Sequence, residues 1–319
     1  MKMNELVREF ITKRTLSSDM ELNAPLHEAI YRLEATDKLA RELLESNKAL
    51  LEDLVYWPSL HDMYERSYEY CCGVLGCFLI AQFQSSEALC RTAIEGAVNL
   101  HYTSLGDSLS KQIAYFKNHL ETERKQNINW KNSVASSSHS EELKQYHFEK
   151  IDQKNIALNN YEDMLRESLS LVQVSFDDIN EKWPSIFDRF CAINDEIGYR
   201  TIYAALCSQA HNDAEDALNK IYARVCASVD GLDEAHFIEQ YNFSLYMALM
   251  AIKYHIFASA MYIAKLEISA EPLIEHYKKV MDAITLVTEN GPRLVREKIT
   301  VRQGSNYALK SLTSFAGTG

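Results

Sequence analysis

Apolar residues recur near helical spacing, at three, four or their sums, along nearly the whole chain, as in Leu26, Ile30, Leu33, Leu39, Leu43 and Leu50. No run alternates apolar with polar long enough to support a sheet. That periodicity restricts the chain to helices packed on helices. Only ten glycines and five prolines occur in 319 residues, so the helices are long and their connections short. The pattern predicts an all-α fold, a helical bundle of long antiparallel helices, in a chain large enough to bury a substantial core.

Residues 1–57 read as an N-terminal helical segment, polar at first and then a long surface helix from Pro25 through Leu54. Trp57-Pro58-Ser59 breaks it, with Ser59 placed to cap the next helix. The main bundle is expected over 58–291. Met63 to Phe83 is apolar nearly all round, as a central helix is, and Ala88, Ala93, Gly96 and Ala97 admit a close neighbour on the next. Over 108–175 the composition turns charged, and the segment reads as a protruding helical hairpin. Its first helix runs to about Gln126, a loop covers Asn127 to Ser140, and Ser138-His139-Ser140-Glu141 forms a capping box for a helix to about Val174. Ser185 starts a helix to about Ile197 that Gly198 caps. Asp230-Gly231 is a turn, Phe237 to Ile268 is a long core helix, and Glu271-Pro272 opens a last helix that Asn290-Gly291-Pro292 stops. The tail, 292–319, sets Arg293, Arg296, Lys298, Arg302 and Lys310 against Glu297 and reads as basic and flexible.

A formal net charge of −12 opposes a non-specific grip on nucleic acid or an anionic membrane. Nucleic acid contact is expected only through a local basic patch or the 292–319 tail. Seven cysteines, none in a CxxC, lie within helical patterns, which reads as reduced thiols in the cytoplasm. The opening MKMNELVREF has no apolar signal core, so export is not expected. Leu245 to Ala264 is long enough to span a bilayer but carries Lys253 and His255 near its middle, so a buried helix and no membrane are expected. GxGxxG, P-loop, GxSxG and Glu-x-x-His patterns are all missing from the sequence, and neither a cofactor nor a metal is expected.

Two stretches place polar groups among apolar ones. In RTAIEGAVNLHY, Arg91 and Glu95 share a helix face that Val98, Asn99 and Tyr102 continue, so the two can pair directly. Leu89, Ala93, Ile94 and Ala97 surround them, and a charge pair buried there needs further hydrogen bonds to offset desolvation. In GYRTIYAALCSQAHND, Arg200, Tyr203, Cys207 and His211 are expected along one face, with Ser208 and Asn212 beside them. Arg200 and His211 stand roughly 16 Å apart along a regular helix axis, so they share a ligand only through a second subunit or a helix break. At a helix C-terminus His211 favours imidazolium, which a carboxylate such as Glu95 would reinforce. The candidate catalytic residues are His211, Arg91, Glu95 and Tyr203; the candidate binding residues are Arg200, Ser208, Asn212 and Tyr102.

The two stretches resemble a bacterial family known as domain of unknown function 5677. Its members combine an Arg-x-x-x-Glu helix and a following aromatic position with a later helix ending Tyr-x-x-x-Ser-x-x-x-His. Arg91, Glu95 and Tyr102 match the first motif, and Tyr203 and His211 the second, with Cys207 where serine is usual and Ser208 one place on. The resemblance covers roughly Met63 to Ala264 and implies an all-helical fold in a bacterial, intracellular setting, with no activity attached. More distantly, the chain is similar to the HEPN superfamily of helical dimers, many of them metal-independent ribonucleases of toxin and phage-defence systems. Their arginine four to six residues before a histidine is missing around His211.

These residues fit two functions. In the first, the chain is a helical interaction or regulatory protein of bacterial defence or stress, a homodimer or bound to a protein partner, with Arg91, Glu95, Tyr203 and His211 as a buried polar network. In the second it is an RNA- or nucleotide-directed hydrolase in which His211 is the acid/base and Arg91 or Arg200 holds phosphate. Net acidity, the missing arginine-to-histidine spacing and the lack of a metal motif favour the first.

Overall fold

The helical periodicity is realised throughout the computed structural model, which describes residues 24–210, 218, 221 and 232–290, and every element among the described residues is helical. In order they are α1 (Ala24–Ser46), α2 (Lys48–Leu51), α3 (Trp57–Leu79), α4 (Phe83–Ser104), α5 (Ser108–Ser136), α6 (Glu141–Leu171), α7 (Ile186–Ala192) and α8 (Glu196–Gly198). A π-helical turn, Tyr199–Tyr203, then leads into α9 (Ala204–Ala210), followed by α10 (Leu232–Lys265) and α11 (Glu271–Asn290). These described residues divide into two compact units, one drawn from 24–48, 61–102 and 186–290, the other from 49–60 and 103–185. The expected basic tail, 292–319, lies outside the described residues.

In the first unit α1, α10 and α11 pack against one another. Along α10, Leu245, Met247, Leu249, Ile252, Ile256 and Ile263 are all buried, which is why that stretch of sequence shows no polar face. Gln240–Lys265 is long and apolar enough to cross a membrane, and 78% of its most apolar window is buried inside the protein. The buried stripe of α1 is Leu26, Ala29, Leu33, Thr36, Ala40 and Leu44, at the spacing one helix face requires. The surface helix does not run on to Leu54. It stops at Ser46, where the Asn47 side chain donates to the Leu43 carbonyl at 2.8 Å, and Leu50 is left 51% exposed. Trp57 and Pro58, rather than Ser59, open α3, because proline costs nothing in a first turn whose N–H groups have no helical acceptor.

The break between α3 and α4 falls at residues 80–82, with Ala81 at φ 58°. Gln84 to Glu87 lie inside α4, where the Ser86 hydroxyl donates to the Val74 carbonyl at 2.9 Å and the buried Glu87 carboxylate accepts from Ser244. Likewise the helix from Ser185 does not reach Ile197. It ends at Ala192, Asn194 turns the chain at φ 59°, and Asp195 caps a new helix by accepting from the Gly198 N–H at 3.1 Å. Gly198 therefore does not cap the helix begun near Ser185; it has helical backbone and leads directly into the π turn.

The second unit is built on the α5–α6 hairpin. The loop expected over Asn127 to Ser140 is helical as far as Ser136, and only residues 137–140 connect the two helices. Low helix propensity there is overridden by the partner helix. Asn127 donates to Asn155 at 2.7 Å, Val134 is buried, and Lys154–Glu123 at 2.6 Å and Arg124–Glu162 at 2.7 Å tie the helices together. The cap also moves: Ser140, not Ser138, accepts from the Leu143 N–H, with Glu141 and Glu142 in the first turn. After α6 the chain folds back onto the hairpin. Phe176 joins a core of Ile113, Leu120, Leu158 and Leu169, and both Lys117 Nζ and the Arg166 guanidinium lie 4.5 Å from its ring centroid.

Candidate functional site

Small residues let α4 approach its neighbours closely. Ala93, Ile94, Ala97 and Val98 are all at most 1% exposed, so the polar side chains between them must find partners within the fold or at its edge. Glu95 finds two. The Tyr203 hydroxyl donates to Glu95 Oε2 at 2.8 Å, and Arg189 of α7 brings Nη2 to 3.8 Å from Oε1. Arg91, one turn back, makes no ion pair with Glu95 despite the four-residue step; its guanidinium carbon lies 5.7 Å from the Tyr203 ring centroid instead. Burial works against the charge on Arg91, but Tyr203 and Cys207 beside it more than offset that and raise its basicity.

The π turn is what aims Tyr203. Its wider winding closes on the Ala204 N–H to Tyr199 carbonyl bond, and such turns re-aim side chains at the cost of regular hydrogen bonding. Tyr203 points inward and is 3% exposed, stacked on Tyr199 at 5.5 Å and tilted against Phe190 at 5.6 Å. Burial, and then the Glu95 hydrogen bond, push its phenol well above the usual tyrosine range, so it stays protonated and donates.

Arg200 does not share that face. It is exposed, paired with Glu196 at 2.8 Å and stacked over Phe187 at 5.1 Å. The π turn takes more residues per revolution than an α turn and swings Arg200 away from Tyr203. Tyr102 is buried seven residues beyond Glu95, about 10 Å along the axis. Ser208 lies on α9, while His211 and Asn212 fall outside the described residues. Of the candidates, the structure thus brings Arg91, Glu95 and Tyr203 together and holds Arg200 and Tyr102 apart from them.

Arg189, 5% exposed, was not singled out as a partner; the signal in the sequence is an arginine set among apolar and aromatic residues in the run Ile186-Phe187-Asp188-Arg189-Phe190. A second polar network joins α1, α3 and α10. The Tyr64 hydroxyl and Arg41 both donate to Asp37, at 2.9 and 2.8 Å, and Arg41 reaches Glu65 at 3.0 Å. Behind them His255, fully buried, meets the Ser67 hydroxyl at 3.0 Å through Nδ1. These positions look like ordinary surface or core residues in the sequence, because only packing sets them against one another. Among the described residues, no group of three histidine, cysteine, aspartate or glutamate side chains is placed to hold a metal ion.

A family model described as "Family of unknown function (DUF5677)" matches residues 59–223, more than half of the chain, and the span includes α4 and the Tyr199–Ala210 segment. Comparison with curated proteins and with solved structures finds no match.

Proposed function

The chain belongs to the family of unknown function DUF5677, and from that premise we propose that it is a helical interaction or regulatory protein in which Arg91, Glu95, Tyr203 and Arg189 hold α4 against the α7–α9 segment. One observation carries this reading: the Tyr203 hydroxyl is spent on Glu95 at 2.8 Å, a geometry that fixes two helices and leaves the phenol protonated. In the cycle that tests it, Glu95→Gln and Tyr203→Phe each lower the urea midpoint, and the double variant reveals a coupling of about 1 kcal/mol. Additive effects would sink the packing role. So would a His211→Ala variant that removes a cellular phenotype while leaving the melting midpoint unchanged, since that outcome belongs to catalysis.

The same reading has the protein work in the cytoplasm with a protein partner or a second copy of itself. The free thiols among the described residues, Cys71, Cys72, Cys77, Cys90, Cys191 and Cys207, support the reducing compartment. Tyr161 and Met164, 56% and 63% exposed on α6 beside Phe116 and Leu120, support a partner, because apolar side chains grouped on one face are costly in water. Sedimentation of the Met164→Glu variant checks it: a shift toward a smaller species is expected, and an unchanged profile together with unchanged partner capture counts against it.

A further inference from the structure

Helix α10 is buried along most of its length, yet Tyr246, Lys253 and Phe257 are each partly exposed. Spaced seven and four apart, they form one stripe. The Phe257 ring packs against His101 of α4 and Tyr277 of α11, both at 5.2 Å, so the stripe runs between flanking helices. Lys253 stands in its middle with Nζ 5.0 Å from the Tyr254 ring centroid and makes no ion pair among the described residues.

The carboxylate whose charge acts on Lys253 and on Tyr277 is Asp195. It is already engaged, accepting from the Tyr254 hydroxyl and from the Gly198 N–H. The hydroxyls of Tyr246 and Tyr277 have no hydrogen-bond partner among the described residues. Three partly exposed donors on α10 and α11 therefore lack a hydrogen-bonding acceptor among the described residues. An ammonium drawn out of water without a direct ion pair is costly, and burial pulls the Lys253 amine below its usual basicity against the smaller opposing pull of Asp195.

We propose that Lys253, with the Tyr246 and Tyr277 hydroxyls, is a binding site for a monocarboxylate carrying an apolar or aromatic body. One ammonium balances one negative charge, whereas a phosphate dianion would leave a second charge uncompensated near Asp195. Phe257 and the ring of Tyr277, both partly exposed, supply the surface for the body of the ligand. The site adds a ligand to the packing role of Glu95 and Tyr203 and does not depend on it.

Benzoate is the probe, titrated calorimetrically into the full chain, with inorganic phosphate and uncharged benzyl alcohol as parallel arms. Benzoate binds saturably and more tightly than either, and Lys253→Met weakens it about tenfold to a hundredfold. Tyr277→Phe, which keeps the ring against Phe257, weakens it less. In the wild-type chain, bound benzoate slows acetylation of Lys253 by acetic anhydride, read by mass spectrometry; this arm decides the matter if Lys253→Met fails to fold. No benzoate binding, tighter phosphate binding, an unshielded Lys253, or an affinity unchanged in a folded Lys253→Met overturns the proposal.

Discussion

His255 lies in the middle of α10 at 0% exposure, with Tyr64 at 5.5 Å and Tyr68 at 6.1 Å, and its Nε2 has no partner among the described residues. Burial lowers its pKa from 6.5 to about 4, against a smaller opposing pull from Asp37. A histidine buried neutral binds its proton more readily in the unfolded chain. The stability it contributes is therefore complete above the unfolded pKa and is lost as pH falls through the window from 6.5 to about 4. The slope approaches ~1.4 kcal/mol per pH unit. Urea midpoints taken at about pH 7 and about pH 5 should fall accordingly, and the drop should shrink in His255→Gln. Gly198 makes a second prediction at this scale. A Cβ there would run into the Tyr254 hydroxyl and the Asp195 carboxylate, so Gly198→Ala costs about 1–3 kcal/mol although the backbone is helical. A neutral melt for that variant would mean the Asp195–Tyr254 pair yields freely.

At the scale of elements, the hairpin unit is held by its return strap as much as by its two helices. Phe176 is 8% exposed between Lys117 and Arg166; Lys117 also donates to the Ile179 carbonyl at 2.7 Å, and Arg166 grips Asp177 at 2.7 and 2.9 Å. Phe176→Ala removes the ring from this clamp and from the Ile113–Leu120 core, a loss of about 3 kcal/mol. Protease nicking near residues 172–180 under native conditions should rise with it, and an unchanged digestion pattern would place the strap's anchorage elsewhere. Ser140→Ala costs about 1 kcal/mol through the lost cap of α6, measured by the urea midpoint. The clamp was not visible in the sequence, since its charged residues come from α5, α6 and the segment beyond α6, and a charge run by itself reads as a solvated face.

For the molecule as a whole, the division into two units makes thermal unfolding more than one transition. Calorimetry should give a van 't Hoff enthalpy below the calorimetric one. Phe176→Ala should then shift one component of the profile, and Gly198→Ala the other, since residues 103–185 and 186–290 hold those sites in different units. A single transition displaced as a whole by either variant would show the units to be energetically one.

What the sequence determined by itself was whatever depends on local pattern. Three- and four-residue spacing dictated helices, the absence of a polar face marked α10 as core, and the four-residue step put Arg91 and Glu95 on one side of α4. The family motifs are legible for the same reason, because each spans only a few residues of chain. Tertiary structure decided the partners. Glu95 turned from Arg91 to Tyr203 and Arg189, residues more than ninety positions away; one π turn removed Arg200 from the face that regular spacing assigned to it; and Asn127 entered a helix because Asn155 was there to receive it. Propensities and spacings act over a turn or two of chain, whereas desolvation penalises a buried polar group until some neighbour, from anywhere in the fold, satisfies it.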